Sequence, residues 1–135
     1  MDPQRLAKLP LFVELSDDQL GDIAACTRAV SIAEGETVAT QGDNAYEFFV
    51  VEEGEADVRR DGDVIAWVGQ GDVIGEIGLL VTGTRTASIV ARTPMTLVAM
   101  FAREFKQVER QTPAVADRLR EIMRERVART GYQSR

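Results

Sequence analysis

Two short segments of this 135-residue chain combine residue types that can hold an anion. The first is Gly75-Glu76-Ile77-Gly78-Leu79-Leu80, which cannot be an ordinary strand. Its glycines let the backbone come close to a ligand, and Leu79-Leu80 give it an apolar underside. A short helical turn starting at Gly75 would direct unpaired backbone N–H groups outward, a ready site for a negative group. The second segment is Arg85-Thr86-Ala87-Ser88, reached through the loop Val81-Thr82-Gly83-Thr84 and leading into the apolar pair Ile89-Val90. An arginine there could stand beside the glycine turn and offer a planar fork to phosphate oxygens. The same residues also fit a surface turn in which Glu76 and Arg85 form an exposed ion pair worth under about 1 kcal/mol. Local physics leaves both readings open.

Composition narrows the chemistry. The chain has no histidine, which excludes serine–histidine and cysteine–histidine nucleophile systems and any histidine-ligated metal. Its one cysteine, Cys26, excludes an internal disulfide and a thiolate metal site, and reads as a small buried hydrophobe in a helical stretch. Carboxylate chemistry remains possible in principle, but these exclusions disfavour an enzyme, and no catalytic residue, metal or cofactor is expected. The net charge of −6 argues against general affinity for nucleic acid or anionic membranes, though not against one small basic pocket. Near the C-terminus Arg118, Arg120, Arg124, Arg126, Arg129 and Arg135 alternate with Asp117, Glu121 and Glu125, the pattern of a solvated, ion-paired helix. The start, MDPQRLAKLP, has no apolar signal region, and no apolar run is long enough to span a bilayer. A cytoplasmic protein without membrane contact by this segment is the expectation.

The elements that must position these segments read as helices, then strands, then helices, in one domain's length of chain. Ser16-Asp17-Asp18-Gln19 opens a helix with a capping box, and Leu15, Leu20, Ile23 and Ala24 fall on one stripe. From Arg28 to Phe101, short β-rich runs are divided by turns at Gly35, Gly42, Gly54, Gly62 and Gly69-Gln70-Gly71-Asp72. Regular short strands with such turns predict an antiparallel sandwich or barrel. Tyr46 to Val51 suits a strand buried on both sides. Asp61-Gly62 predicts a hairpin in which Ala56, Val58 and Arg60 share one face, and Val64, Ala66 and Val68 another. Strands over Arg85–Ala91 and Met95–Phe101 flank a Thr93-Pro94 turn. A short helix follows over Arg103–Arg110. Thr112 then caps a last helix, with Pro113 at its first position, which runs to about Thr130 and stops at Gly131.

In this setting, GEIGLLVTGTRTAS resembles the phosphate-binding cassette of the cyclic nucleotide-binding domain family, the module of catabolite-activator proteins, cyclic-nucleotide-dependent kinases and nucleotide-gated channels. The family pattern is G-E, a hydrophobic residue, a small residue and L, then loop residues before R-[ATS]-A-[STN], and every part is present in order. Gly35, Gly42-Asp43, Gly54 and Gly71-Asp72 also sit where the family keeps its turn glycines. The implied fold is mainly β: an antiparallel double-stranded β-helix, a jelly-roll-like β-roll, with N-terminal helices and a C-terminal lid helix. The domain organisation follows as residues 1–27 for the N-terminal helices, 28–101 for the roll with its cassette at 75–88, and 103–130 for the C-terminal helices.

The resemblance implies roles residue by residue. Backbone N–H groups from Gly75 through Ile77 to Gly78 would cradle the cyclic phosphate, Arg85 would neutralise it, and Glu76 would accept from the ribose 2′-hydroxyl. Thr86 would donate to the phosphate or the base, and Val58 and Ile74 would wall the base. One departure is Thr84, where bacterial members often carry proline. Thr86 occurs with cyclic GMP recognition in the family, yet also in channels that prefer cyclic AMP, so the implied ligand is cyclic AMP first and cyclic GMP second.

The last helix carries Val115, Leu119, Ile122 and Arg126 on one face. Arg126 reads either as a snorkelling edge residue or, by the resemblance, as a lid residue reaching the base. Met123 and Val127 lie on an adjacent face that could serve a homodimer. The function expected is a sensor that couples occupancy to movement of this helix. It would act on a separate effector protein or within a longer parent chain. The alternative is a roll of the same fold that has lost ligand binding and serves as a scaffold or dimerisation module, against which Glu76 and Arg85 count. A cupin-like enzyme lacks its histidine ligands here. A DNA-binding output is not expected from five residues beyond Thr130. Arg85→Leu is expected to weaken binding and leave stability nearly untouched.

Overall fold

Two runs of this chain have a central stretch, residues 48–51 and 97–101, that is apolar at every position and needs partners on both faces. In the computed structural model these are β3 (Glu47–Glu53) and β8 (Met95–Phe101), which pair antiparallel at the centre of one sheet. Residues 1–44, 46–74 and 85–130 are described, with 122–123 and 126–130 as backbone only. Alternation divides each central strand between two cores. Phe48, Val50, Val98 and Met100 face a helical layer, while Phe49, Val51, Leu97 and Ala99 face a second sheet.

The first sheet has the order β1-β8-β3-β6, with β1 over Thr27–Ile32 and β6 over Val73–Ile74. The second has the order β2-β7-β4-β5, built from Thr37–Ala39, Ser88–Ala91, Ala56–Arg60 and Asp63–Val68. All the pairings among the described residues are antiparallel. Each sheet interleaves strands from distant parts of the chain, so the two close as a roll around the inter-sheet core. Mainly antiparallel sheets with flanking helices are the class the sequence predicts.

The helical layer comprises α1 (Pro3–Leu6), a 3-10 turn at Pro10–Phe12, α2 (Asp17–Ala25), α3 (Ala102–Gln111) and α4 (Pro113–Thr130). The capping box of α2 is formed: Ser16 Oγ accepts from the Gln19 N–H at 3.2 Å, and Gln19 Oε1 accepts from the Ser16 N–H at 2.9 Å. Val115, Ala116 and Leu119 of α4 are buried with Leu11, Phe12 and Phe105. Helix α4 also passes close to β5 and β6. No described helix is long and apolar enough to cross a membrane.

The hairpin turn has positive φ at both Asp61 (54°) and Gly62 (87°), the signature of a two-residue primed turn. Gly54 has φ +95°, and a Cβ there would lie 2.4 Å from the Pro94 carbonyl oxygen, so only glycine fits.

Four local expectations are corrected. Tyr46 lies before β3 and is 66% exposed; its carbonyl accepts from Ala102 N–H at 2.7 Å, so its backbone but not its ring joins the structure. Val64 does not share an inward face with Val68: pairing steps from Val58↔Ala66 to Arg59↔Val64, and this bulge at Ile65 turns Val64 outward. The strand expected from Arg85 begins only at Ser88. Arg85 is instead clasped by the turn at Gly42-Asp43, through Gly42 N to its carbonyl and its own N to Asp43 O. Thr112 does precede α4 and its carbonyl accepts from the Val115 and Ala116 N–H groups, but its hydroxyl donates back to Val108 O at 3.1 Å, so the side chain closes α3 and does not cap α4.

Candidate functional site

The clasp at Gly42-Asp43 fixes the direction in which Arg85 leaves the backbone, and that direction is inward. Arg85 is only 8% exposed. Its Nη2 donates to the Glu47 carbonyl at 2.7 Å, and its guanidinium carbon lies 5.6 Å from the centre of the Phe49 ring, within cation–π range. Phe49 is in turn the register partner of Ile74 across β3 and β6. A cation is therefore set against the inter-sheet core beside the last residue of β6. Charge in such low-dielectric surroundings acts strongly on an anion.

Val58 and Ile74, the expected apolar walls, are 0% and 1% exposed and belong to that same core, together with Ala87 and Ile89. Thr86 follows Arg85 along the edge of this core, and its Oγ1 is buried with no hydrogen-bonding partner among the described residues. Gly75, Glu76, Ile77 and Gly78 lie outside the described residues, as does Gly131. The strand that delivers them is well anchored. Asp72 Oδ2 accepts from Gly69 N–H at 2.8 Å, while Gly71 N and Val51 N bond to Val51 O and Asp72 O. The structure thus brings Arg85, Thr86, Val58 and Ile74 to one interior. Arg126, Ile122, Met123 and Val127 have side chains outside the described set.

Three participants escaped the sequence reading. Glu47 acts through its carbonyl, and Phe49 through its ring; neither role leaves a residue-type signal. The third, Arg60, did leave one, as a cation ending the inward row Ala56, Val58, Arg60. Its Nε donates to the Thr86 carbonyl at 3.2 Å.

A cleft of about 540 Å³ lies elsewhere, lined by Gly54, Glu55, Trp67, Gly69, Gln70, Asp72 and Thr93. Among the described residues no cationic side chain lines it, so it is poorly suited to a phosphate, and the interior beside Arg85 is the better candidate. Exposed ion pairs elsewhere raise the pKa of Arg5, through Glu52, and of Arg118, through Glu14. Burial, reinforced by Glu104 and Asp22, pushes the Cys26 thiol up.

Comparison with known proteins agrees with this geometry. The family model for the cyclic nucleotide-binding domain matches residues 29–112, more than half the chain. A cAMP-dependent protein kinase regulatory subunit from Mycosarcoma maydis is 33% identical over 90 residues, which is 64% of this chain but only 17% of that protein. The N-terminal domain of a transcriptional regulator from Streptomyces coelicolor A3(2) is 32% identical, with a TM-score of 0.73, covering 96% of this chain and 93% of that one. A Geobacter metallireducens GS-15 protein, crystallised as a candidate cyclic nucleotide-binding protein, shares the fold with a TM-score of 0.87 at 22% identity, over 96% of this chain and 98% of its own. The matched segment runs from within β1 to the residue before α4 and takes in all of the roll but the first two residues of β1, and on that ground the chain belongs to the cyclic nucleotide-binding domain family.

Proposed function

We propose that residues 1–135 form one cyclic-nucleotide-binding regulatory domain, a sensor rather than an enzyme. The observation that carries this reading is the placement of Arg85. It is a guanidinium turned into the roll, clasped by the Gly42-Asp43 turn and adjoining the strand that leads into Gly75-Glu76. On this reading Arg85 meets the cyclic phosphate, and the Gly75–Gly78 backbone donates to the same group. Glu76 accepts from the ribose 2′-hydroxyl. Thr86, Val58 and Ile74 meet the base. Cyclic AMP is supported by the 33% identity to a cAMP-dependent kinase regulatory subunit, and cyclic GMP by Thr86.

The moving element of this reading is α4. Its first turns are fixed by Val115 and Leu119, and its path runs close to β6, which leads into the cassette. Occupancy would shift α4 only by the ligand's differential affinity for its two placements, with Arg126 closing toward the base. The output would go to an effector protein, a longer parent chain or a second copy through the Met123 and Val127 face. A thermal shift with cyclic AMP, cyclic GMP and linear AMP tests the function. Ligand at a hundred times its Kd should stabilise the fold by about 2.7 kcal/mol, with linear AMP inert. No shift with either cyclic nucleotide would favour a ligand-independent scaffold.

A further inference from the structure

Among the described residues five large hydrophobic side chains are exposed, and three of them, Val64, Ile65 and Trp67, fall within four positions of β5. Single exposed hydrophobes are ordinary, whereas a contiguous group marks a contact surface. Strand β5 is also an end strand, in the order β2-β7-β4-β5. The register sets Trp67 opposite Asp57 and Val64 opposite Arg59, so both stand on the outer face of the sheet, away from the buried Val58. Trp67 is held in place there. A Cβ on Gly69 would lie 3.2 Å from Trp67 Cζ3, so the indole rests against the Gly69 backbone while the residue stays 55% exposed.

Trp67 also lines the cleft of about 540 Å³, with Glu55, Gln70 and Thr93 in the same wall. Hydrogen bonds fix that wall: the Glu55 N–H donates to Thr93 Oγ1 at 3.0 Å, and the Gly69 N–H to Asp72 Oδ2 at 2.8 Å. The Glu55 carboxylate is about half exposed and its one ion pair among the described residues is long, 3.7 Å to Arg92 Nη1, because Arg92 gives its 2.6 Å bond to Asp57. We propose that this cleft and the β5 strip beside it dock an extended peptide of a partner protein. A lysine or arginine of that peptide sits between the Trp67 ring and the Glu55 carboxylate, and its apolar side chains lie on Val64 and Ile65. An indole is the best aromatic partner for a cation, and the carboxylate adds a charge-assisted bond. An acidic peptide would set like charge against Glu55. A second copy of this chain is the less suited occupant, because a two-fold contact on this face brings the same carboxylates, Glu55 and Asp63, from both sides.

Trp67 is the chain's one tryptophan, so its fluorescence reads this surface without a label. The probes for the whole chain are acetyl-Val-Thr-Ile-Arg-Val-Arg-amide, the same peptide with glutamate for both arginines, and argininamide alone. The arginine peptide should shift the emission saturably with a Kd below about 1 mM, and the other two should bind at least about tenfold more weakly. Glu55→Gln should weaken the arginine peptide about tenfold, and Val64→Ser at least about threefold. Both positions are exposed, so thermal unfolding should stay near that of the wild type. An arginine peptide that gives no saturable shift, or binds no better than its glutamate counterpart, overturns the proposal. So does a folded Glu55→Gln chain that binds it like the wild type. Sedimentation showing a dimer that Val64→Ser dissociates would give the face to a second copy and overturn it as well. The proposal does not rest on the nucleotide reading, and the thermal shift with cyclic nucleotides decides that reading separately.

Discussion

Arg85→Leu separates the structural role of the arginine from its role toward ligand. The substitution keeps an apolar body over the Phe49 ring and removes the 2.7 Å bond from Nη2 to the Glu47 carbonyl. A hydrogen bond from a charged donor is worth about 1.5–3 kcal/mol. Relief from keeping a guanidinium only 8% exposed works in the opposite direction. The net change in unfolding free energy should therefore stay within about 1.5 kcal/mol, measured by urea denaturation. No such offset exists for the cyclic phosphate. Losing the charge-assisted contact costs binding about 1.5–3 kcal/mol, or roughly ten- to a hundredfold in Kd. Arg85→Lys keeps the charge without the fork and should fall between the two. Titration calorimetry on chains of verified stability reads the effect. A leucine variant that binds cyclic AMP and cyclic GMP as tightly as the wild type would refute the assignment of Arg85.

Other substitutions probe the frame around the site. Gly54→Ala sets a Cβ 2.4 Å from the Pro94 carbonyl at a φ of +95°, and should destabilise by at least about 2 kcal/mol in denaturant. Gly21→Ala, in the interior of α2 with nothing within 4 Å of the new Cβ, should instead stabilise by about 0.5–1 kcal/mol. Leu119→Ala empties a fully buried position of α4 and should lower stability by about 2–5 kcal/mol; a loss under about 1 kcal/mol would contradict the anchoring of that helix. Burial holds the folded Cys26 thiol above its unfolded value. Its contribution is complete below the unfolded pKa of about 8.5 and lost as pH rises through the folded one. Stability relative to Cys26→Ala should therefore fall as pH is raised above about 8.5, and a rise would contradict the burial of the thiol.

The glycine turns and the two-sided apolar runs made the roll legible, because turn chemistry and period are local properties. The capping box at Ser16 and the hairpin at Asp61-Gly62 were readable for the same reason. What the sequence could not carry were consequences of three-dimensional pairing. A one-residue bulge at Ile65 reversed the face of Val64, and the clasp of Arg85 by Gly42-Asp43 cut short a strand that its residue types suggested. Arg85 and Thr86 were named as candidates from residue type and motif, yet the carbonyl of Glu47 and the ring of Phe49 became partners only through the fold. Arg60 could be placed from the sequence only on the face of Ala56 and Val58, and its bond to the Thr86 carbonyl required the fold.

The central claim is that a cyclic nucleotide binds inside the roll beside Arg85. Titrating isotope-labelled protein with cyclic AMP and with cyclic GMP, and following the backbone amides with the arginine Nε–H signals, tests it most directly. The account predicts saturable shifts concentrated at Ile74, Arg85, Thr86 and Ala87, with the amides lining the cleft at Gly54, Trp67 and Gln70 little changed. Saturable shifts confined to that cleft, or no shifts with either nucleotide, would contradict it.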